Sequence, residues 1–167
     1  SYLDVIEFKN SKKKKNKNNK KINVKYLFNF NYFQLQEYLE YNCYSKDINV
    51  NSLKSEYDQI FKKIKSIKKN DKIDLLIVGN DFNSLSFETE KNIKLFFDQI
   101  FQQINLLSIL KKQKPKLEII FFNFPKFYSR VPNYANILKI DKQISHFNLN
   151  LKSKSSENKI YLLNYNH

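Results

Sequence analysis

Apolar residues along the chain occur either in short continuous runs or in longer stretches with helical spacing. Two of the continuous runs, Lys72 to Gly79 and Leu117 to Phe124, are typical of strands covered on both faces. A third run, Ile22 to Phe30, is rich in β-branched and aromatic residues and also predicts a strand. Shorter strands are expected at Tyr2 to Phe8 and at Ile160 to Leu163.

Between these runs, apolar residues recur every three or four positions, as they do on one face of a helix. Asn31 and Ser52 each precede such a stretch and are candidate N-cap residues. A polar connector is expected at Ser153 to Glu157. The four predicted helices run from Asn31 to about Tyr41, from Ser52 to about Lys69, from Ser86 to about Lys111, and from Tyr134 to Phe147.

Strands that alternate with helices at this spacing predict right-handed crossovers and a largely parallel sheet. The expected fold class is therefore α/β: a three-layer sandwich whose mostly parallel, doubly wound (flavodoxin- or Rossmann-like) sheet carries helices on both faces. At 167 residues the chain is expected to form one domain, 1–167, with a basic loop or arm at 10–21.

The basic segment dominates the charge of the chain. Lys and Arg outnumber Asp and Glu by 30 to 16, which gives a net charge of +14. Such a balance favours a polyphosphate partner, RNA first and an anionic membrane surface second. A gene rich in A and T also favours Lys, Asn, Ile, Phe and Tyr, so a merely solvated basic tail is the alternative. The candidate RNA-binding residues are Lys12, Lys13, Lys14, Lys15, Lys17, Lys20 and Lys21.

Several kinds of chemistry are excluded or disfavoured by composition. Because Gly79 is the only glycine, the chain cannot form a Walker loop or a dinucleotide-binding fingerprint. Cys43 is alone, so neither an intrachain disulfide nor a cysteine-based zinc site can form, and a structural thiol is expected. His146 is expected to be a partly buried structural histidine. No cofactor, metal or small-molecule substrate is predicted, and no apolar run is long enough to span a membrane.

Acidic residues lie within and after the buried run at Lys72 to Gly79. Asp74, Asp81, Glu88 and Glu90 offer a carboxylate metal site in principle. These residues are better explained as a helix N-terminus with acids in its first turn, where they are favourable.

Gly79-Asn80-Asp81 follows that buried strand, at the edge where open α/β sheets bind ligands. The triplet resembles the Gly-x-Asn-Asp-type block of the SGNH (GDSL-like) hydrolases, shortened by one residue. That resemblance implies a nucleophilic serine after the first strand and a C-terminal Asp-x-x-His. The chain has Asn29-Phe30-Asn31 at the first position and lacks the second motif. A turn favoured by Asn and Asp is the simpler interpretation, and a catalytically inactive relative with a vestigial site is the alternative.

From Ile48 to Ile100 the order of elements resembles the S-two family of small-subunit ribosomal proteins. The segments that carry the resemblance are Ile48 to Asn51, Ser52-Leu53, Leu75 to Gly79, Pro115 to Phe121 and Ile160 to Asn166. The family's Gly-Gly-x-Leu-Thr-Asn segment and its coiled-coil insertion are missing. The resemblance implies a non-enzymatic, RNA-contacting component of an organellar small subunit.

The sequence therefore supports the hypothesis of a structural RNA-binding component of a ribonucleoprotein, a mitochondrial ribosome, in contact with ribosomal RNA and neighbouring ribosomal proteins. No enzymatic activity is expected. Two alternatives stay open, an inactive SGNH-like binding or scaffold module and an accessory subunit of an organellar membrane complex.

Overall fold

The computed structural model describes residues 4–5, 20–53, 59–80, 90–123 and 134–163. These residues form five strands and four helices that alternate along the chain. The strands are β1 (Lys20–Phe28), β2 (Ile48–Leu53), β3 (Leu75–Gly79), β4 (Glu118–Phe122) and β5 (Tyr161–Leu163). The helices are α1 (Phe33–Tyr44), α2 (Ile60–Ser66), α3 (Glu90–Gln113) and α4 (Tyr134–Glu157).

The five strands form one parallel sheet in the order β2-β1-β3-β4-β5. The pairing places Lys20 opposite Ile48 and Phe28 opposite Gly79. This is the strand order of flavodoxin-like folds, with β3 at the centre. The predicted α/β class, a doubly wound three-layer sandwich, is confirmed.

Successive side chains of a strand point to opposite faces, and each face of this sheet supports its own apolar cluster. On one face, Val24, Tyr26 and Phe28 of β1 pack with Leu35 and Leu39 of α1. The opposite face carries the larger core, in which the strands pack against α2, α3 and α4. Its members include Leu27, Ile64, Leu76, Val78, Ile100, Ile104, Leu107, Ile119, Phe121, Ile144 and Leu151. The continuous apolar runs are therefore explained by helices on both faces of the sheet.

Two predicted elements are wrong. Ser52 does not cap a helix, because it lies in β2 and pairs with Val24 of β1. The helix expected from Ser52 to Lys69 is the short α2, and residues 54–58 lie outside the described part of the chain. The strand predicted at Tyr2 to Phe8 is contradicted at Asp4 and Val5, whose backbone is helical.

Helix α4 continues ten residues beyond its predicted end at Phe147 and includes the segment expected to be a polar connector. The reason lies in the positions of its buried residues. Ile144, Phe147, Leu151 and Ser155 recur at helical spacing and all face the core. A serine, Ser155, occupies the last core position, so the apolar pattern ends at Leu151, before the helix does.

None of the helices within the described residues is long and apolar enough to cross a membrane.

Candidate functional site at the carboxyl edge of the sheet

The ends of β1 and β3 lie side by side at the carboxyl edge of the sheet. The chain leaves β1 toward β2 and then crosses back to β3, so the winding direction reverses between these two strands. Ligands of open α/β sheets bind at such a switch point. Here β1 is followed by Asn29-Phe30-Asn31, β3 by Asn80, and β4 by Asn123. Carboxamide side chains thus follow three adjacent strands.

Aromatic rings fill one side of this edge. The Phe28 ring is stacked on Tyr32 with centroids 5.0 Å apart, and it meets Phe30 and Phe122 edge to face. Gly79 lies directly against it, because an added Cβ would come within 2.5 Å of Phe28 Cδ1. Gly79 has no positive φ. The glycine is therefore required for space beside a ring and not for an unusual backbone conformation.

Asn80 is held by a paired amide contact with helix α3. Its Nδ2 donates to Gln103 Oε1 at 2.9 Å, and Gln103 Nε2 donates back to Asn80 Oδ1 at 3.1 Å. Gln103 is buried, so these two hydrogen bonds satisfy an otherwise unpaired polar group inside the protein. The contact fixes the segment after β3 to α3. Gln103 was not predicted as a site residue, although it is the one polar side chain in the stripe Ile100, Gln103, Ile104, Leu107.

Asn31 orients the start of α1. Its Oδ1 accepts a hydrogen bond from the Phe33 backbone N–H at 3.1 Å, which satisfies one of the unpaired donors of the helix terminus. Asn31 lies one position before the N-cap, which is Tyr32 and makes no capping bond through its side chain. Asn31 therefore caps the first turn of α1 as predicted, but from the position before the N-cap. This arrangement leaves the amide N–H groups of the exposed Asn31 at the carboxyl edge.

Of the four carboxylates that could form a metal site, only Asp74 has a side chain that the structure describes, and Glu90 is the first residue of α3. Asp74 precedes β3 and lies at the amino edge, where its Oδ2 accepts from the Asn23 backbone N–H at 2.7 Å and from Asn23 Nδ2 at 3.0 Å. Asp81 and Glu88 lie outside the described residues. Among the residues that are described, no group of three His, Cys, Asp or Glu side chains is placed to hold a metal ion.

The basic segment is described only at its end. Lys20 and Lys21 open β1 and are exposed, and they lie at the amino edge of the sheet, opposite the carboxyl edge. The other five lysines, Lys12, Lys13, Lys14, Lys15 and Lys17, lie outside the described residues. Nothing in the described part of the chain tests what they bind.

Cys43 lies on α1 and His146 on α4, and both were expected to be structural. Cys43 is half-buried near the end of α1, and burial raises the pKa of its thiol, with Lys46 opposing the shift. A raised pKa leaves less thiolate at neutral pH and disfavours nucleophilic chemistry there. His146 is exposed on α4, where Asn150 Nδ2 lies 3.1 Å from its Nε2. It is therefore not the partly buried residue that the apolar stripe predicts.

Comparison with known proteins supports the fold. No family model and no curated protein matches the chain. A solved structure, the N-terminal part of protein BF1531 from Bacteroides fragilis, which contains a phosphatase domain and is complexed with Mg, matches with a TM-score of 0.76 and 15% identity. The match covers 99% of this chain and 45% of that one, so this chain spans about half the length of its neighbour.

This comparison corrects the expected identity. The S-two resemblance is wrong and the SGNH resemblance is not supported, because the structural neighbour contains a phosphatase domain. The expectations of a ribosomal, RNA-binding component and of a non-enzymatic protein are overturned on the same ground. Neither alternative, the inactive SGNH-like binding or scaffold module or the accessory subunit of an organellar membrane complex, gains support from this comparison. Hydrophobic spacing misled here because the S-two pattern is shared by many doubly wound sheets.

Proposed function

We propose that this chain is a hydrolase of phosphate esters whose active site lies at the carboxyl edge of the sheet. The observation that carries the proposal is the position of Gly79 and Asn80 at the carboxyl end of the central strand, at the switch point, with Asp81 next in the sequence. The phosphatase domain named in the neighbouring structure supplies the reaction class. The net charge of +14 supports an anionic substrate, because a positive protein raises the local concentration of phosphate esters.

Asp81 is our candidate nucleophile. It is the first carboxylate in the sequence after β3, directly following Asn80, whose side chain is fixed by Gln103. A carboxylate attacks the phosphorus of the ester and forms an acyl phosphate, while the alcohol departs and takes a proton from water. Water then hydrolyses the acyl phosphate, which releases phosphate and restores the carboxylate. The amide N–H groups of Asn31 are donors of the kind that hold the phosphate oxygens in such a step.

The structural neighbour holds magnesium, and the described residues at the carboxyl edge differ from the ligands that this ion prefers. Mg²⁺ prefers carboxylate oxygens in an octahedral arrangement. The described residues at the carboxyl edge contribute carboxamides, and the Oδ1 atoms of Asn31 and Asn80 already accept hydrogen bonds from Phe33 and Gln103. These residues do not fit a magnesium site, and no step of the proposed reaction is assigned to the metal.

Hydrolysis of p-nitrophenyl phosphate by the purified chain tests the proposal. We expect Asp81→Asn to lower the rate by at least about a hundredfold, because the amide cannot act as the nucleophile. Asp98→Asn is the matched control, since Asp98 is an exposed aspartate on α3 and its loss should leave the rate unchanged. Equal rates for the wild type and Asp81→Asn, or no hydrolysis with and without added Mg²⁺, would contradict the proposal.

A further inference from the structure

Helices α3 and α4 enclose an open cavity of about 480 Å³ on the outer side of the larger core. Its apolar lining is mostly aromatic and comes from both helices: Ile93, Phe97, Phe101 and Phe147. The cavity falls within the range of about 300–1,000 Å³ that is usual for small-molecule sites. None of the residues assigned above to phosphate-ester hydrolysis lines it.

The aromatic part of the cavity is held in place by ring contacts. Phe147 is buried and stacks on Phe97 with centroids 4.0 Å apart and an interplanar angle of 11°. Phe101 lies 4.8 Å from Phe147, and Lys154 Nζ covers the Phe101 ring at 4.3 Å. The rings therefore form a preformed apolar surface, which an aromatic ligand can contact without rearranging the helices.

Polar groups of two kinds accompany these rings. Lys94 is an exposed cation on the α3 side, and the pair His146 and Asn150 lies on the α4 side. Gln143 also lines the cavity, and its Oε1 is buried with no hydrogen-bond partner among the described residues. A buried acceptor without a donor is costly, and rotation of the Gln143 amide toward a ligand donor in the cavity would remove that cost.

We infer that the cavity between α3 and α4 binds a small aromatic carboxylate that carries an N–H or O–H donor. The ring contacts Phe97, Phe101 and Phe147, the donor reaches Gln143 Oε1, and the carboxylate faces Lys94. The ring, the donor and the carboxylate of the ligand thus each have a matching partner in the lining of the cavity. This binding site is independent of the proposed hydrolysis and does not require it.

Two probes separate the hydrogen bond from the apolar contact. Indole-3-acetate has the ring, the carboxylate and an N–H donor, whereas 1-methylindole-3-acetate lacks only the donor. Isothermal titration calorimetry of the full chain should show binding of both compounds, with the methylated compound about tenfold weaker because Gln143 is left unpaired. Asp81→Asn should bind both compounds like the wild type, whatever its effect on hydrolysis.

Variants assign the effect to the proposed residues. Gln143→Leu should remove the difference between the two probes, and Gln102→Leu, which replaces an exposed glutamine on α3, should preserve it. Lys94→Gln should weaken both probes by a similar factor, while Lys112→Gln, another exposed lysine of α3, should not. Unchanged folding of each variant is checked by circular dichroism. Equal affinity of the wild type for the two probes, or no binding of either at millimolar concentration, would overturn the inference.

Discussion

Gly79 lies at the end of β3 with the Phe28 ring directly against its Cα. We expect Gly79→Ala to lower the free energy of unfolding by about 1–3 kcal/mol, because the added methyl group overlaps a buried ring that is fixed by Tyr32, Phe30 and Phe122. Urea denaturation measures the loss.

The same Gly79→Ala substitution, made in a Phe28→Leu variant, tests whether the Phe28 ring causes this loss. A smaller side chain at position 28 makes room for the methyl group, so Gly79→Ala should cost much less in the Phe28→Leu variant than in the wild type. Additive effects of the two substitutions would show that the Phe28 ring is not the cause.

Tyr26 is buried under α1, and this burial raises the pKa of its hydroxyl to about 12, with the neighbouring Ser52 opposing the shift. Between about pH 10 and 12 an unfolded tyrosine loses its proton while the folded one keeps it. The free energy of unfolding therefore falls as the pH rises through this window, by at most about 1.4 kcal/mol per pH unit for this one group.

We expect Tyr26→Phe to make the loss of stability above pH 10 less steep than in the wild type. Tyr161→Phe is the control, because Tyr161 is exposed and its side chain is not part of the core. Thermal denaturation at a series of pH values measures both variants. Parallel curves for Tyr26→Phe and wild type would contradict the assignment.

Single side chains were the hardest features to predict from the sequence. Gly79 and Asn80 were expected at the carboxyl edge, and the structure places both there. Gln103 was missed because its partner is 23 residues away in the chain and only the tertiary fold brings the amides together. Ser155 was missed because a hydroxyl at a core position interrupts the apolar pattern. Periodicity identifies faces of elements, but it does not identify the polar pairs between them.

Lys114 joins two elements that are far apart in the chain. Just after α3, its Nζ donates to the backbone carbonyls of Lys69 at 2.9 Å and Asp71 at 2.5 Å, in the connection between α2 and β3. We expect Lys114→Met to lower the free energy of unfolding by about 1–3 kcal/mol, since the carbonyls lose a charged donor. Urea denaturation is the measurement, and Lys112→Met, at an exposed lysine, should cost under about 0.5 kcal/mol.

The existence and type of elements with strong apolar patterns were predicted well, but the residues at which these elements begin and end were not. The predicted strand at Leu117 to Phe124 contains β4, and the helix predicted from Ser86 contains most of α3. Strand β2 was predicted only through the S-two resemblance, which is wrong. The apolar pattern did not indicate this strand, because Ile48 to Leu53 is half polar and includes Ser52, a residue type that favours helix N-caps. Polar residues are tolerated there because β2 is an edge strand and pairs only with β1 among the described strands.

At the scale of the whole molecule, topology explains why the candidate site lies where it does. The alternation of elements predicted a doubly wound sheet but not its strand order. The order β2-β1-β3-β4-β5 places the reversal beside β3, and thus beside Gly79 and Asn80. The same topology puts Lys20 and Lys21 at the opposite edge. The basic segment and the proposed active site therefore call for separate experiments.

Net charge is a property of the whole chain and gives the last prediction. A charge of +14 on 167 residues repels itself, and added salt screens that repulsion. We expect the thermal midpoint to rise by a few degrees between about 10 mM and 0.3 M NaCl. Replacing the seven lysines from Lys12 to Lys21 with Gln lowers the charge from +14 to +7 (14 − 7 = 7) and should flatten this dependence. Equal salt dependence in both proteins would mean that these lysines add little to the repulsion in the folded state.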